Sequence, residues 1–145
     1  MKKLLFFFAF VVGLMFSNNV HSQCKEFTEQ DVMPLLGDYI ISGRYNSIRL
    51  FEGEEMLIFK TLSKGINYRF VVKGDKEFPR KVEFEVEDWD GNKMFQNKRQ
   101  NFAEVWDYTC DKPQRIKIYI KVPSGQNVSD PKRGCVSLLT GIKAD

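Results

Sequence analysis

Lys81-Val82-Glu83-Phe84-Glu85-Val86-Glu87-Asp88-Trp89-Asp90-Gly91-Asn92 is the stretch that settles the fold class. Val82, Phe84 and Val86 fall on one side and Glu83, Glu85 and Glu87 on the other. That two-residue period belongs to a strand with one face buried and one face wet. Asp88-Trp89-Asp90-Gly91 then supplies turn chemistry: an aspartate that can accept a backbone N–H two residues on, and a glycine free to take positive φ.

The same period recurs on both sides of this strand. Arg115 to Val122 alternates most cleanly, with Ile116, Ile118, Ile120 and Val122 predicted inward and Lys117, Tyr119 and Lys121 outward. Ile66, Tyr68, Phe70 and Val72 alternate against Asn67, Arg69, Val71 and Lys73, and Ile48 and Leu50 flank Arg49. Glu54 to Leu62 has a near-continuous apolar centre, which predicts a strand covered on both faces. Further strands are expected at Asp38 to Ser42, at Lys93 to Gln96, at Gln100 to Thr109 with Phe102, Trp106 and Tyr108 as its bulk, and at Cys135 to Ile142. Ahead of them, Thr28 followed by Asp31 reads as a helix start, and Pro34 and Gly37 limit that helix to two turns. The expected fold is all-β: a single-domain β-sandwich or jelly roll of about seven or eight antiparallel strands, with a short N-terminal helical segment.

Residues 1–22 read as a cleaved signal peptide, with Lys2 and Lys3 as its charged start, Leu4 to Phe16 as its apolar run and Val20-His21-Ser22 as its processing site. The domain then runs over residues 23–145, in a secreted or periplasmic location. The apolar run is too short to span a bilayer, so stable membrane insertion is not expected. Cleavage also changes the charge balance. The whole chain carries 22 basic and 19 acidic residues, and losing Lys2 and Lys3 leaves 20 against 19, which removes the electrostatic case for nucleic-acid binding. The single histidine, His21, leaves with the same segment. That weighs against Ser-His-Asp or Cys-His catalysis and against a histidine zinc site. Of the three cysteines, Cys110 shares a strand face with Trp106 and Tyr108 and is expected as a buried thiol. Cys24 and Cys135, one beside each end of the domain, are the expected disulfide.

Leu62-Ser63-Lys64-Gly65-Ile66-Asn67-Tyr68-Arg69-Phe70, then Val82 to Asn92 with its Asp88-Trp89-Asp90-Gly91 turn, then Arg115 to Val122, resembles the bacterial pre-peptidase C-terminal domain. Trp89 stands where that family's turn often carries proline. The resemblance implies a jelly-roll sandwich that accompanies secreted proteins and assists secretion or substrate attachment, without catalysis of its own.

Three groups of residues invite chemistry. Trp89, at the second position of a turn, is expected to face solvent, where an indole stacks on sugar rings or a partner's apolar surface. Trp89, Asp88 and Asp90 are therefore the candidate ligand-binding residues. Asp88, Asp90 and Asn92 also have the spacing of the first ligands of a calcium loop, but the twelfth position is Arg99 where a glutamate should stand, so an EF-hand is excluded; the turn explanation suffices, with an irregular calcium site on these three residues as the alternative. Glu83, Glu85 and Glu87 lie roughly 6.5 to 7 Å apart along their strand, within the range of glycosidase carboxylates. That is also the spacing of any wet strand, and the lysine-bearing strands can neutralise it. Asn127-Val128-Ser129 matches a glycosylation acceptor in the long polar loop, and Tyr39, Tyr45 and Phe51 read as core and edge packing. No cofactor is implied. The expected function is a non-catalytic binding module for a glycan or a protein partner. An accessory subunit that assembles through a sheet edge, and a small carboxylate-based glycoside hydrolase, are the alternatives.

Overall fold

The computed structural model describes residues 23–126 and 128–143, so the segment read as a signal peptide, with His21, and Asn127 of the glycosylation-acceptor match lie outside the described residues. Apolar alternation builds the strands β1 (Ile40–Ile41), β2 (Asn46–Phe51), β3 (Glu55–Leu62), β4 (Asn67–Gly74), β5 (Glu83–Asp88), β6 (Lys93–Gln96), β7 (Val105–Thr109), β8 (Gln114–Lys121) and β9 (Arg133–Ile142). Their pairing is nested: β2 joins β9, β3 joins β8, β4 joins β7 and β5 joins β6, all antiparallel. Rolling up such a nested hairpin gives two sheets, β1-β9-β4-β7 with β2 also on β9, and β3-β8-β5-β6. This is the strand order of a jelly roll, and it bears out the sandwich read from the sequence.

The two sheets bury one core between them. β8 turns Ile116, Ile118 and Ile120 fully inward with Val122 beyond them, β5 contributes Phe84 and Val86, and the facing sheet contributes Phe70, Val72, Val136 and Leu138. An aromatic run from Tyr68 through Phe70, Trp106 and Phe95 to Phe84, with successive ring centroids 5.1–6.0 Å apart, closes the side where β6 and β7 form the two sheet edges. Cys110 is a fully buried free thiol in this core, as its strand phase predicts.

A third layer covers the outer face of the β9 sheet. It is a continuous helical stretch that changes pitch twice: α1 (Gln23–Phe27), a π-helical turn (Thr28–Val32) and a 3-10 turn (Met33–Leu36). The sequence placed a helix start at Thr28, but the chain is already helical at Gln23, the first described residue. The Thr28 hydroxyl donates back to the Cys24 carbonyl at 2.7 Å instead of capping, and it closes a ring of hydroxyls with Ser47 and Ser137 at 2.9 and 2.7 Å. Pro34 sits in the first turn of the 3-10 segment, where its missing N–H costs little, and Gly37 at φ 60° ends it. Val32 and Leu36 bury Val71 and Leu139 beneath them, and the Cys24–Cys135 disulfide ties the stretch to β9 across 111 residues of sequence. On the chain-entropy model, closing a loop of that size contributes about 4 to 5 kcal/mol.

Two further expectations are corrected. Gln100 to Thr109 is not one strand. Asn97–Arg99 is a 3-10 turn, Asn101 and Phe102 take left-handed φ of 52° and 56°, and extended backbone starts only at Val105. Nor is β3 covered on both faces. It is an edge strand whose inward side carries Met56, Ile58 and Leu62, and whose outward side leaves Leu57 and Phe59 to solvent.

Candidate binding face

The outer face of the β3-β8-β5-β6 sheet has no covering layer among the described residues. Register fixes its rows. Leu57 stands opposite Tyr119, and Tyr119 opposite Glu85, while Phe59 stands opposite Lys117, and Lys117 opposite Glu87. The face therefore divides along its length. On β5 and β6 it is ionic: Lys93 reaches both Glu85 and Glu87, Gln96 donates to Glu85, Lys117 lies 3.6 Å from Glu87, and Lys98 lies 3.2 Å from Glu83. On β3 and β8 its apolar members are Leu57, Phe59 and Tyr119, set among Arg115, Lys117 and Lys121.

Trp89 completes the apolar half. The β5–β6 register shifts between Val86 and Glu87, a bulge directly before the turn, and such bulges re-aim the side chains that follow. The indole lies back across β8 toward β3, its ring 6.2 Å from Phe59, with the Arg115 guanidinium 4.4 Å above its centroid. Arg115 has no carboxylate partner among the described residues. Trp89 remains 54% exposed, Phe59 50%, Leu57 44% and Tyr119 37%. Four large apolar side chains thus share one uncovered sheet face.

The sequence-predicted site residues are placed as follows. Trp89 is exposed at its turn, and it belongs to the sheet face as well as to the loop end. Asp88 faces into its own turn: its two carboxylate oxygens accept from the Asn92 backbone N–H and side-chain amide, both at 2.8 Å. These Asn92 contacts, the side-chain amide foremost, hold the Asp88 carboxyl below the usual carboxylate value. Asp88 and Asn92 therefore bind each other, Asp90 is exposed beside them, and Gly91 takes the left-handed conformation that the turn needs, φ 89°. Glu83, Glu85 and Glu87 project from one face as predicted, each with a lysine as ion-pair partner. Leu57, Phe59, Tyr119 and Arg115 were not picked out from the sequence as site residues. They sit on strands that are distant in the chain, and only the β3–β8 register brings them together.

The edge of this sheet has a feature of its own. Lys60 lies on the inward side of β3, opposite the fully buried Ile116, and burial pushes its ammonium below the ordinary lysine value. An inward-pointing charge on an edge strand opposes pairing with another strand.

No protein-family model matches the sequence, and no curated protein matches it. Solved structures do resemble the fold. The crystal structure of Aeromonas hydrophila PliG, a periplasmic lysozyme inhibitor of g-type lysozyme, superposes with a TM-score of 0.50. That match covers 69% of this chain and 85% of that one at 10% identity, and it is a likeness of fold. A de novo designed double-stranded β-helix matches with a TM-score of 0.34 over 70% of this chain and 100% of that one, at 16% identity. Among the described residues no helix is long and apolar enough to cross a membrane.

Proposed function

We propose that the protein is a non-catalytic binding module of the periplasm or the extracellular space, and that it holds a protein partner on the outer face of the β3-β8-β5-β6 sheet. The observation that carries this reading is the shared exposure of Leu57, Phe59, Tyr119 and Trp89 on a sheet face that nothing covers among the described residues, with the Arg115 guanidinium over the indole. Aromatic and arginine side chains in such a patch are the residue types that dominate protein–protein contacts. A glycan fits less well. Sugar rings stack on a bare aromatic face, whereas the Trp89 ring already has a guanidinium over it and Leu57 offers no ring. The Cys24–Cys135 disulfide supports an oxidising compartment. The likeness in fold to a periplasmic lysozyme inhibitor supports a binding use of this sandwich, and it makes g-type lysozyme the first purified probe.

The test is site-specific photo-crosslinking from Leu57 in the secreting cell. One discrete protein adduct is expected, and affinity for the captured protein should fall by about tenfold or more in Trp89→Ala and Phe59→Ser. An adduct yield indifferent to both substitutions, or glycan binding with no protein adduct, overturns the reading.

A further inference from the structure

Away from the apolar face, the connection from β4 to β5 borders a cleft of about 210 Å³. Its walls come from the end of β4, residues 75–82, and the residues that precede β7. The connection is held firmly. Phe78 and Val82 are buried anchors, and the Asp75 N–H donates to the Cys135 carbonyl at 2.8 Å. Gly74 packs so tightly that a Cβ there would lie 2.3 Å from Val82 Cγ2. Lys76, Arg80 and Lys81 are exposed on this anchored loop.

The charges in the cleft are out of balance. Lys73, Lys76, Arg80 and Lys81 face Asp75 and Glu104, so four cations against two carboxylates leave two positive charges. Lys73 pairs with Glu104 at 3.7 Å, and Asp75 accepts from the Glu77 N–H. Lys76, Arg80 and Lys81 have no ion pair among the described residues. A second, independent feature lies in the same wall. Phe102 adopts φ 56° directly after Asn101 at 52°, a left-handed backbone that costs a phenylalanine about 1–2 kcal/mol. The Phe102 N–H donates to the Asn97 carbonyl at 2.8 Å, which fixes that conformation and keeps the residue in the cleft lining.

We propose that this cleft binds a phosphate monoester, with the phosphoryl group held by Lys76, Arg80 and Lys81 and the organic moiety lying against the ring of Phe102. A carboxylate would be satisfied by one arginine. Three uncommitted cations match the three terminal oxygens and the near-dianionic charge of a phosphate monoester at neutral pH. A soluble sugar phosphate and a phosphorylated lipid headgroup offer this same chemistry.

Calorimetric titration of the secreted chain with inorganic phosphate, glucose 6-phosphate and glucose, together with flotation on phosphatidylcholine vesicles with and without phosphatidic acid, tests the proposal. Saturable binding of glucose 6-phosphate is expected, with weaker binding of phosphate and none of glucose. The double variant Arg80→Gln/Lys81→Gln should lose roughly tenfold or more in affinity with its unfolding midpoint unchanged, because each charge-assisted hydrogen bond removed is a strong one. Phe102→Asn, which tolerates the left-handed backbone, should weaken glucose 6-phosphate and leave inorganic phosphate unchanged. Arg115→Gln on the other face should change neither. Vesicle binding displaced by glucose 6-phosphate assigns the source to a lipid, and glucose 6-phosphate binding without vesicle binding assigns it to a soluble ester. No saturable binding of any phosphorylated probe, affinity unchanged in the double variant, or vesicle binding that survives excess glucose 6-phosphate would each overturn the proposal.

Discussion

The two outer faces of the sandwich come from the same alternation and meet different fates. Outside the β9 sheet, Val71 and Leu139 lie fully buried under Val32 and Leu36, with a disulfide holding the helical stretch in place. Outside the β3 sheet, Leu57, Phe59 and Tyr119 occupy equivalent positions and stay in solvent with Trp89. Strand patterning alone makes both faces equally able to be covered, and the chain spends its covering segment on one. The other is left bare among the described residues.

The sharpest way to break this comparison is to truncate one residue on each face. Leu139→Ala removes a fully buried side chain between sheet and helix and should cost about 2–5 kcal/mol in urea unfolding. Phe59→Ala, despite removing more atoms, should stay within about 0.5 kcal/mol, because half of that ring is already in water. Equal losses at the two sites would mean that the β3 face is a structural surface and not a free one.

A smaller effect concerns the edge of the bare sheet. Lys60 is on the core side of β3, where partial burial holds its ammonium below the ordinary lysine value, and an inward charge on an edge strand disfavours strand addition. Lys60→Val should therefore raise the unfolding free energy by about 1 kcal/mol, in line with other single stabilising substitutions, while sedimentation velocity shows new concentration-dependent association. A stabilised variant that stays monomeric at all concentrations would show that something other than the lysine protects this edge.

These contrasts also mark what could be read in advance. The periods of Val82-Phe84-Val86 and Ile116-Ile118-Ile120 were decisive because every second residue is strongly apolar and every intervening one but Tyr119 is charged. The Cys24–Cys135 pair was legible because Cys110 sits on a core-facing phase. Coverage was not legible. In Glu55–Leu62 the outward Leu57 and Phe59 look the same in sequence whether a third layer meets them or solvent does, so β3 read as doubly buried. The helix start was misplaced because a threonine hydroxyl serves a cap and a back-bond to the preceding turn equally well. The break at Asn101 and Phe102 gave no warning, since phenylalanine is an unusual residue for a left-handed position. Trp89 was recognisable as a turn aromatic, but its companions Phe59 and Tyr119 become neighbours only through pairing register.

The smallest effect bears on how the bare face keeps its tryptophan in place. Asp88 closes the turn with both oxygens on Asn92, and its carboxyl is held below the ordinary value chiefly by the Asn92 side chain. A carboxyl with a lowered folded-state pKa contributes stability that is present above its unfolded value, about 3.9, and that fades as pH falls through the lowered folded value. The turn should therefore be insensitive to pH near neutrality and loosen only in acid. Carboxyl NMR titration should give Asp88 a midpoint below that of an ordinary aspartate, and Asn92→Ala should move it upward while Trp89 emission shifts as the indole leaves Arg115 and Phe59. If Asp88 titrates normally, or its midpoint ignores Asn92→Ala, the carboxylate does not set the turn. Packing against Phe59 and Arg115 would then be what fixes Trp89, and the covered and bare faces would share one ordering principle after all.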